Sequence, residues 1–192
     1  MRRLAASGVV FISFQNGLGN EDILADAPGR DNVMGGLTYV AGARLTPGRI
    51  HYFDRVLSYI GEWTGNIADR AKKIATCFTA AGLETKACSD TRTEIWKKLL
   101  GNMPISPVSG LTNLTSTQIL KRDDLRIVCN TALDEALSFA QFQGVPLERD
   151  EVVKRLDLMT AAGGTGDNKS SLCLDVLAKR QSEVDFIYGK TL

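Results

Sequence analysis

The chain has 192 residues, enough for a sizeable hydrophobic core; 44% of them are hydrophobic and 23% are charged. Its 23 Lys and Arg residues nearly balance its 22 Asp and Glu residues, so the composition gives no sign of a nucleic-acid partner or an anionic membrane surface. The four cysteines are far apart and form no C-x-x-C pair. This pattern indicates a reduced, cytoplasmic compartment and neither a disulfide framework nor a metal site. No segment reaches the roughly 20 apolar residues that span a bilayer.

β-Strand signals dominate the first part of the chain. Residues 9–14 are mostly β-branched or aromatic and stop just before Asn16-Gly17, which is typical of a short buried strand followed by a turn. Two further β-rich runs, 32–43 and 49–62, lie on either side of Thr46-Pro47-Gly48. Because a Pro-Gly turn reverses the chain direction, these runs predict an antiparallel pair.

Helical spacing replaces the β pattern further along the chain. A first helix is predicted from Asn66 to a stop at Gly82, followed by a short strand over residues 84–88. Beyond residue 90 helices are expected at 92–103, 115–121, 123–143, 148–161, 170–180 and 183–190. Serine N-caps are expected at Ser170 and Ser182. The glycine-rich stretch 163–167 has a flexible composition.

These patterns predict an α+β chain with a β-rich front, residues 1–90, and a helical back, residues 91–192. The front is odd as an independent domain, because one substantial helix gives a sheet poor cover. It also lacks a nucleotide-binding fingerprint: Gly17–Asp22 and Gly164–Lys169 start as G-x-G-x-x-G but do not end in glycine. The single histidine, His51, has no nucleophile beside it in sequence and is interpreted as structural.

The segment from Glu94 to Asn102 carries the strongest candidate for chemistry. On a helix, its apolar residues form one arc, with Lys98 and Asn102 together at one edge and Lys97 at the other. Helical geometry alone does not choose between the two lysines. The simpler interpretation is an amphipathic helix flanked by solvated lysines.

Five motifs in order resemble the ketopantoate reductase (2-dehydropantoate 2-reductase) family: Q-N-G-L-G-N-E, I-G-E, W-K-K-L-L-x-N, S-S-L-x-x-D and S-E-V-D-F-I-Y-G. Each motif is weak by itself, but five at compatible spacing, from about residue 9 to the end, are specific. The resemblance implies an all-helical domain at 91–192, like the C-terminal domain of 6-phosphogluconate dehydrogenase. Before it, residues 1–90 correspond to the last strands of an incomplete Rossmann-type domain.

The resemblance also implies roles for seven residues. The catalytic lysine is the second residue after the tryptophan, which is Lys98, and the catalytic glutamate is Glu183. Contact with the nicotinamide is implied for Asn16, and substrate binding for Asn102, Ser171, Asn168 and Ser106. Ser106 stands where the family often has Asn, and Leu172 and Leu174 replace the usual Met and Gln. These departures leave the identity of the keto acid open.

The activity that the resemblance implies is NADP-dependent reduction of ketopantoate to pantoate, in pantothenate and coenzyme A biosynthesis. Family members begin with a glycine-fingerprint Rossmann unit and continue past the position of Gly189, so we expect a chain truncated at both ends and inactive by itself. A sheet edge exposed by truncation predicts a homo-oligomer. Two alternatives remain open: a reductase of another 2-keto acid, and a non-catalytic helical dimerisation remnant.

Overall fold

The computed structural model describes residues 2–54, 56–63, 68–161 and 165–189. The chain divides into two compact units, Met1–Ile95 and Trp96–Leu192. The division falls within the helix Thr91–Asn102, a few residues beyond the boundary expected after residue 90.

The first unit contains a mixed sheet, a hairpin and three helices. Its strands are β1 (Phe11–Ser13), β2 (Val33–Thr38), β3 (Ala41–Thr46), β4 (Arg49–Asp54), β5 (Ser58–Glu62) and β6 (Thr85–Ala87). Its helices are α1 (Arg2–Ala5), α2 (Asn20–Ala25) and α3 (Asp69–Ala80). The strands at 9–14 and 84–88 are confirmed in shorter form. The predicted start of α3 at Asn66 lies outside the described residues.

The sheet has the strand order β1-β2-β5-β6. β1 and β2 are parallel, β2 and β5 are antiparallel, and β5 and β6 are parallel. β3 and β4 form a separate antiparallel hairpin around Gly48, whose φ of 76° suits a tight turn. The antiparallel pairing expected around Thr46-Pro47-Gly48 is therefore confirmed. Each β-rich run forms two strands: the first run gives β2 and β3, and the second gives β4 and β5. β3 pairs with β4 in the hairpin, and β2 pairs with β5 in the main sheet.

Helix α3 covers one face of the sheet. Its Ala71 and Ala75 are buried with Met34 of β2 and Ile60 of β5 in one core cluster. At the start of α3, the Arg70 Nε donates to Oε1 of the buried Glu62 at 2.7 Å. The pair satisfies a carboxylate that burial would otherwise penalise.

Gly35 and Gly61 of the sheet leave space for the buried side chain of Thr91. Thr91 is the first residue of α4 (Thr91–Asn102). A Cβ on Gly35 would lie 2.8 Å from Thr91 Cγ2, and a Cβ on Gly61 would overlap Thr91 Oγ1 and the Cys88 carbonyl. Side chains at these two positions would therefore displace the first turn of α4. This packing explains the glycine of the I-G-E motif.

In the second unit the described residues form helices and no strand. After α4 come α5 (Ser106–Thr112), α6 (Ser116–Leu120), α7 (Asp123–Phe142), α8 (Arg149–Thr160), α9 (Ser171–Leu177) and α10 (Val184–Ile187). The interior includes Trp96, whose ring centroid is 5.8 Å from that of Phe139 on α7. α7 ends before Gly144, which has a φ of 76°, as its Gly-Val-Pro sequence predicts.

Several sequence expectations for the second unit need correction. α5 was not predicted, although Pro107 lies in its first turn, where proline is favoured. Ser170 caps α9 as expected, since its Oγ accepts from the Cys173 N–H. Ser182 does not cap α10, which begins after Glu183 without a side-chain cap. Thr165–Asp167, within the stretch expected to be flexible, forms a short 3-10 helix.

Among the described helices, none combines the length and the apolar character needed to cross a membrane. The same described ranges hold no group of three or more His, Cys, Asp or Glu side chains arranged for a metal ion.

Glu21, in the first turn of α2, is a buried acid without a counter-charge. Its side chain is 1% exposed, and neither carboxyl oxygen has a hydrogen-bond partner in the described part of the chain. Burial raises the pKa of this carboxyl to about 7, and the charge of Asp22 adds to the rise. The folded chain therefore keeps a proton on Glu21 at pH values where an exposed glutamate loses it.

Replacing Glu21 with Gln removes this titration. The unfolded chain releases the proton near pH 4.5 and the folded chain near pH 7, so the stability that protonated Glu21 contributes is full below pH 4.5 and is lost as the pH rises through 7. We expect Glu21→Gln to raise the free energy of unfolding by about 2–3 kcal/mol at pH 8, and by little at pH 4.5. Urea denaturation at both pH values measures this. The exposed Glu135→Gln is the control, and equal effects of Glu21→Gln at both pH values would contradict the prediction.

Candidate functional site

Helix α4 places Lys98 beside the hydrophobic interior of the second unit. Trp96, Leu99 and Leu100 are each at most 2% exposed, which confirms the apolar arc predicted from spacing, and Lys98 is half-buried next to it. Burial lowers the pKa of the Lys98 ammonium to about 8, while the negative charge of Glu183 opposes that shift. Desolvation therefore outweighs the neighbouring carboxylate.

Lys97 does not match the interpretation as a fully solvated lysine. Its side chain is half-buried, like that of Lys98. Lys98 has a lowered pKa, and the charge of Glu183 acts on its ammonium. These two properties favour Lys98 where helix geometry left the choice open.

Glu183 comes close to Lys98 because α10 is anchored to the end of α4. The carbonyl of Glu183 accepts the N–H groups of Phe186 and Ile187 and so begins the helix. Further along, the Tyr188 hydroxyl donates to the Met103 carbonyl at 3.2 Å. Burial raises the pKa of this hydroxyl, which stays a neutral donor. The anchoring role of Tyr188 was missed, although the residue lies in the S-E-V-D-F-I-Y-G motif.

Asn102 and Ser106 follow Lys98 along the chain. Asn102 is the last residue of α4, one helical turn after Lys98, and is half-buried. Ser106 is the first residue of α5 and is 7% exposed. Its carbonyl accepts a hydrogen bond from the Ser170 hydroxyl at 3.4 Å, so α5 directly contacts the residue that precedes Ser171.

Ser171 and Asn168 lie around the start of α9. Ser171 is the first residue of that helix and is exposed; Asn168 is also exposed. Both side chains are therefore accessible to a ligand. The structure thus brings Lys98 near Glu183. It also brings Ser106 into contact with Ser170, the residue that precedes the predicted Ser171.

Asn16 belongs to the first unit, whereas the other six predicted site residues belong to the second. It follows β1 and is half-buried, and its carbonyl accepts the Asn20 side-chain amide at 2.9 Å. The next glycines, Gly17 and Gly19, have φ values of 91° and 82°. A loop in this left-handed conformation favours glycine.

A cavity of about 390 Å³ lies elsewhere in the second unit, between α6, α7 and α8. Two of its cations already have carboxylate partners, since Arg126 pairs with Asp123 and Arg149 with Asp134. None of the predicted site residues lines it. We therefore locate the candidate chemistry at Lys98 and not in this cavity.

The chemistry available around Lys98 is proton donation to an oxygen atom. An ammonium with a pKa of about 8 gives up its proton more readily than an ordinary lysine and is still largely protonated at neutral pH. Amide and hydroxyl donors are present at Asn102 and Ser171 in the same unit. Such neutral donors suit a carboxylate.

Comparison with known proteins gives consistent matches. The model of "Ketopantoate reductase PanE/ApbA" matches residues 1–65 and that of "Ketopantoate reductase PanE/ApbA C terminal" matches residues 90–192. The 2-dehydropantoate 2-reductase of Archaeoglobus fulgidus is 29% identical over 183 residues, which are 95% of this chain and 60% of that protein.

Solved structures are similar over nearly the whole chain. The 2-dehydropantoate 2-reductase from Geobacter metallireducens GS-15 has a TM-score of 0.89 at 27% identity, covering 96% of this chain and 61% of its own. A D-mandelate dehydrogenase in complex with NADH has a TM-score of 0.87 at 20% identity, covering 95% and 61%, and at that identity the likeness concerns the fold alone. The chain spans about three fifths of the length of these relatives. Because the C-terminal family model alone covers more than half of the 192 residues, the chain belongs to the ketopantoate reductase family.

Proposed function

We propose that this chain is the substrate-binding and catalytic part of a reductase that converts ketopantoate to pantoate with NADPH. The observation that carries the proposal is the half-buried Lys98, with its lowered pKa and the charge of Glu183 beside it. Perturbed titratable groups of this kind are frequent at active sites. The test is NADPH oxidation that depends on ketopantoate, in a protein that joins this chain to a dinucleotide-binding region.

Lys98 acts on the carbonyl oxygen of the keto acid. Reduction adds a hydride to the carbonyl carbon and a proton to the oxygen, on which negative charge develops in the transition state. The Lys98 ammonium stabilises that charge and then transfers its proton to the oxygen. With a pKa of about 8, most copies of Lys98 carry the needed proton at pH 7.

Glu183 keeps the pKa of Lys98 high enough for the amine to be mostly protonated at neutral pH. Its charge raises the Lys98 pKa against the lowering by burial, so the amine regains a proton from solvent after each turnover. A more deeply desolvated lysine without this carboxylate would be neutral more of the time and would lack the proton to donate.

The carboxylate of the substrate binds to neutral donors. The hydroxyl of Ser171 and the amides of Asn102 and Asn168 supply N–H and O–H groups for it. Ser106, which is buried, limits the substrate side chain at the start of α5. A serine is shorter than the asparagine often found there, which favours as second candidate a reductase of another 2-keto acid. Comparing kcat/KM for ketopantoate with that for other 2-keto acids tests this.

A nicotinamide cofactor supplies the hydride when bound. Asn16, which follows β1 and is half-buried, is the residue proposed to contact the nicotinamide end of such a cofactor. NADP is proposed over NAD from the family resemblance. The described residues 17–22 lack the last glycine of a phosphate-cradling fingerprint, so the phosphates require residues beyond this loop.

The proposed enzyme works in the cytoplasm as a homo-oligomer without a nucleic-acid partner. β1 and β6 are the outer strands of the described sheet, and an open strand edge favours pairing with another chain. Light scattering at high concentration tests this proposal, and a monomer would contradict it.

Replacing Lys98 with Ala removes the proposed proton donor and oxyanion partner. We expect kcat to fall on the order of a hundredfold to a thousandfold. The matched control is Lys97→Ala, which removes the same charge one residue earlier, and we expect it to change kcat by about twofold or less. Steady-state NADPH oxidation measures both. Equal losses, or a larger loss for Lys97→Ala, would contradict the assignment of Lys98.

The pH dependence of the reaction reports on Lys98 and Glu183 together. Because the protonated form of Lys98 is the active one, kcat/KM should fall as the pH rises through about 8. Glu183→Gln removes the charge that raises the Lys98 pKa, so the fall should move to lower pH. Profiles of kcat/KM between about pH 6 and 10 measure the shift. A Glu183→Gln profile that is unchanged or moves to higher pH would show that Glu183 does not act on Lys98.

A further inference from the structure

One face of α5 holds the start of α9. Ser106, Ser109 and Asn113 are three and seven residues apart and therefore lie on the same side of this helix. Each contributes an acceptor to the chain between residues 169 and 173. This face contains Ser106, one of the proposed substrate residues, and its contacts lead to another, Ser171.

The hydrogen bonds differ in strength along this face. The Ser170 hydroxyl donates to the Ser106 carbonyl, and the Ser170 N–H donates to the Ser109 hydroxyl, both at 3.4 Å. These distances are at the long end for hydrogen bonds. The Lys169 ammonium donates to Asn113 Oδ1 at 2.6 Å. This bond is the shortest of the three and has a charged donor, and it lies at the solvent-exposed surface.

The contact between α5 and α9 continues at Gly110 and Cys173. A Cβ on Gly110, which follows Ser109 on α5, would overlap the Leu172 side chain of α9. The Cys173 thiol also approaches Asn113 Oδ1, at 3.7 Å. The Asn113 amide thus receives two donors from the segment that contains Ser171.

Asn113 has a backbone conformation suited to this role. It is the C-cap of α5, with a φ of 62° and a ψ of 22°, and its N–H donates to the Ser109 carbonyl. Asparagine is one of the few non-glycine residues that adopt this left-handed region readily. The residue therefore both ends α5 and carries an acceptor for Lys169.

We propose that Asn113 and Lys169 are positioning residues that hold the first turn of α9, and with it Ser171, in the geometry that binds the substrate carboxylate. This inference rests on the proposed function. It assigns neither residue to contact with substrate. It predicts an effect on substrate affinity and a smaller effect on the chemical step.

The test uses three variants in a protein that joins this chain to a dinucleotide-binding region. Asn113→Gly keeps the left-handed backbone and removes the amide, and Lys169→Met keeps most of the apolar stem and removes the ammonium. We expect each to raise KM for ketopantoate about threefold to fivefold and to change kcat by about twofold or less, since solvent screening reduces what an exposed hydrogen bond to a charged group contributes. Asn113→Asp retains an acceptor and adds a charge opposite to Lys169, so KM should stay near the wild-type value.

Two controls separate positioning from a general loss of stability or charge. Lys154→Met removes an exposed lysine from α8, and Val152→Ala removes volume from a buried site on the same helix. Neither should change KM. A KM rise in Val152→Ala equal to that in Asn113→Gly would overturn the proposal, as would a loss in kcat with KM unchanged.

Amide hydrogen exchange tests the contact independently of activity. The Cys173 N–H donates to Ser170 Oγ, and the Leu174 N–H to the Ser170 carbonyl. Both should exchange about tenfold faster in Asn113→Gly and Lys169→Met. Unchanged exchange in both variants would overturn the proposed positioning role of Asn113 and Lys169, whatever the activity. If the wild-type protein is inactive but the variants show faster exchange, the positioning role of Asn113 and Lys169 is supported. The reductase assignment is then contradicted.

Discussion

The packing of α4 determines the chemistry of the second unit. Trp96, Leu99 and Leu100 are buried, and a helix that buries these positions carries Lys98 to the border of the interior. Burial then lowers the Lys98 pKa, and the charge of Glu183 sets how far. The proton chemistry proposed for this family member therefore originates in hydrophobic packing. The charge of Glu183 only moderates the pKa change that burial causes.

α10 and the start of α9 are each held by polar contacts, which hydrophobic periodicity does not predict. A tyrosine hydroxyl joins α10 to the Met103 carbonyl, which keeps the segment of Glu183 near α4. A helix of small and polar residues, α5, receives the start of α9 through serine and asparagine acceptors. In both contacts, residues with no proposed substrate contact, Tyr188 in one and Ser109 and Asn113 in the other, help to place a proposed site residue.

The parts that sequence predicts well are those governed by one strong local rule. Apolar spacing gave α4, and the Gly-Val-Pro signal gave the end of α7. The hairpin followed from Thr46-Pro47-Gly48. α5 was missed because Ser, Gly and Thr are poor helix formers, and the burial of Val108 and Ser109, which overrides that preference, is a tertiary effect. The motif order proposed Lys98 and Glu183 as site residues, but the balance between desolvation and charge at Lys98 depends on packing that no spacing rule supplies.

The charges of the second unit bear on how the proposed substrate is distinguished. Lys98 is accompanied by Glu183, so the two together bring little net charge to a bound anion. Attraction of a 2-keto acid carboxylate by charge alone is therefore weak at this point, and directional donors must supply the affinity. Ser171 is such a donor, and its position depends on the contact between α5 and α9. In the proposed enzyme, discrimination between keto acids of equal charge depends on the geometry of that contact and on Ser106, which is buried. Both belong to the short helix α5.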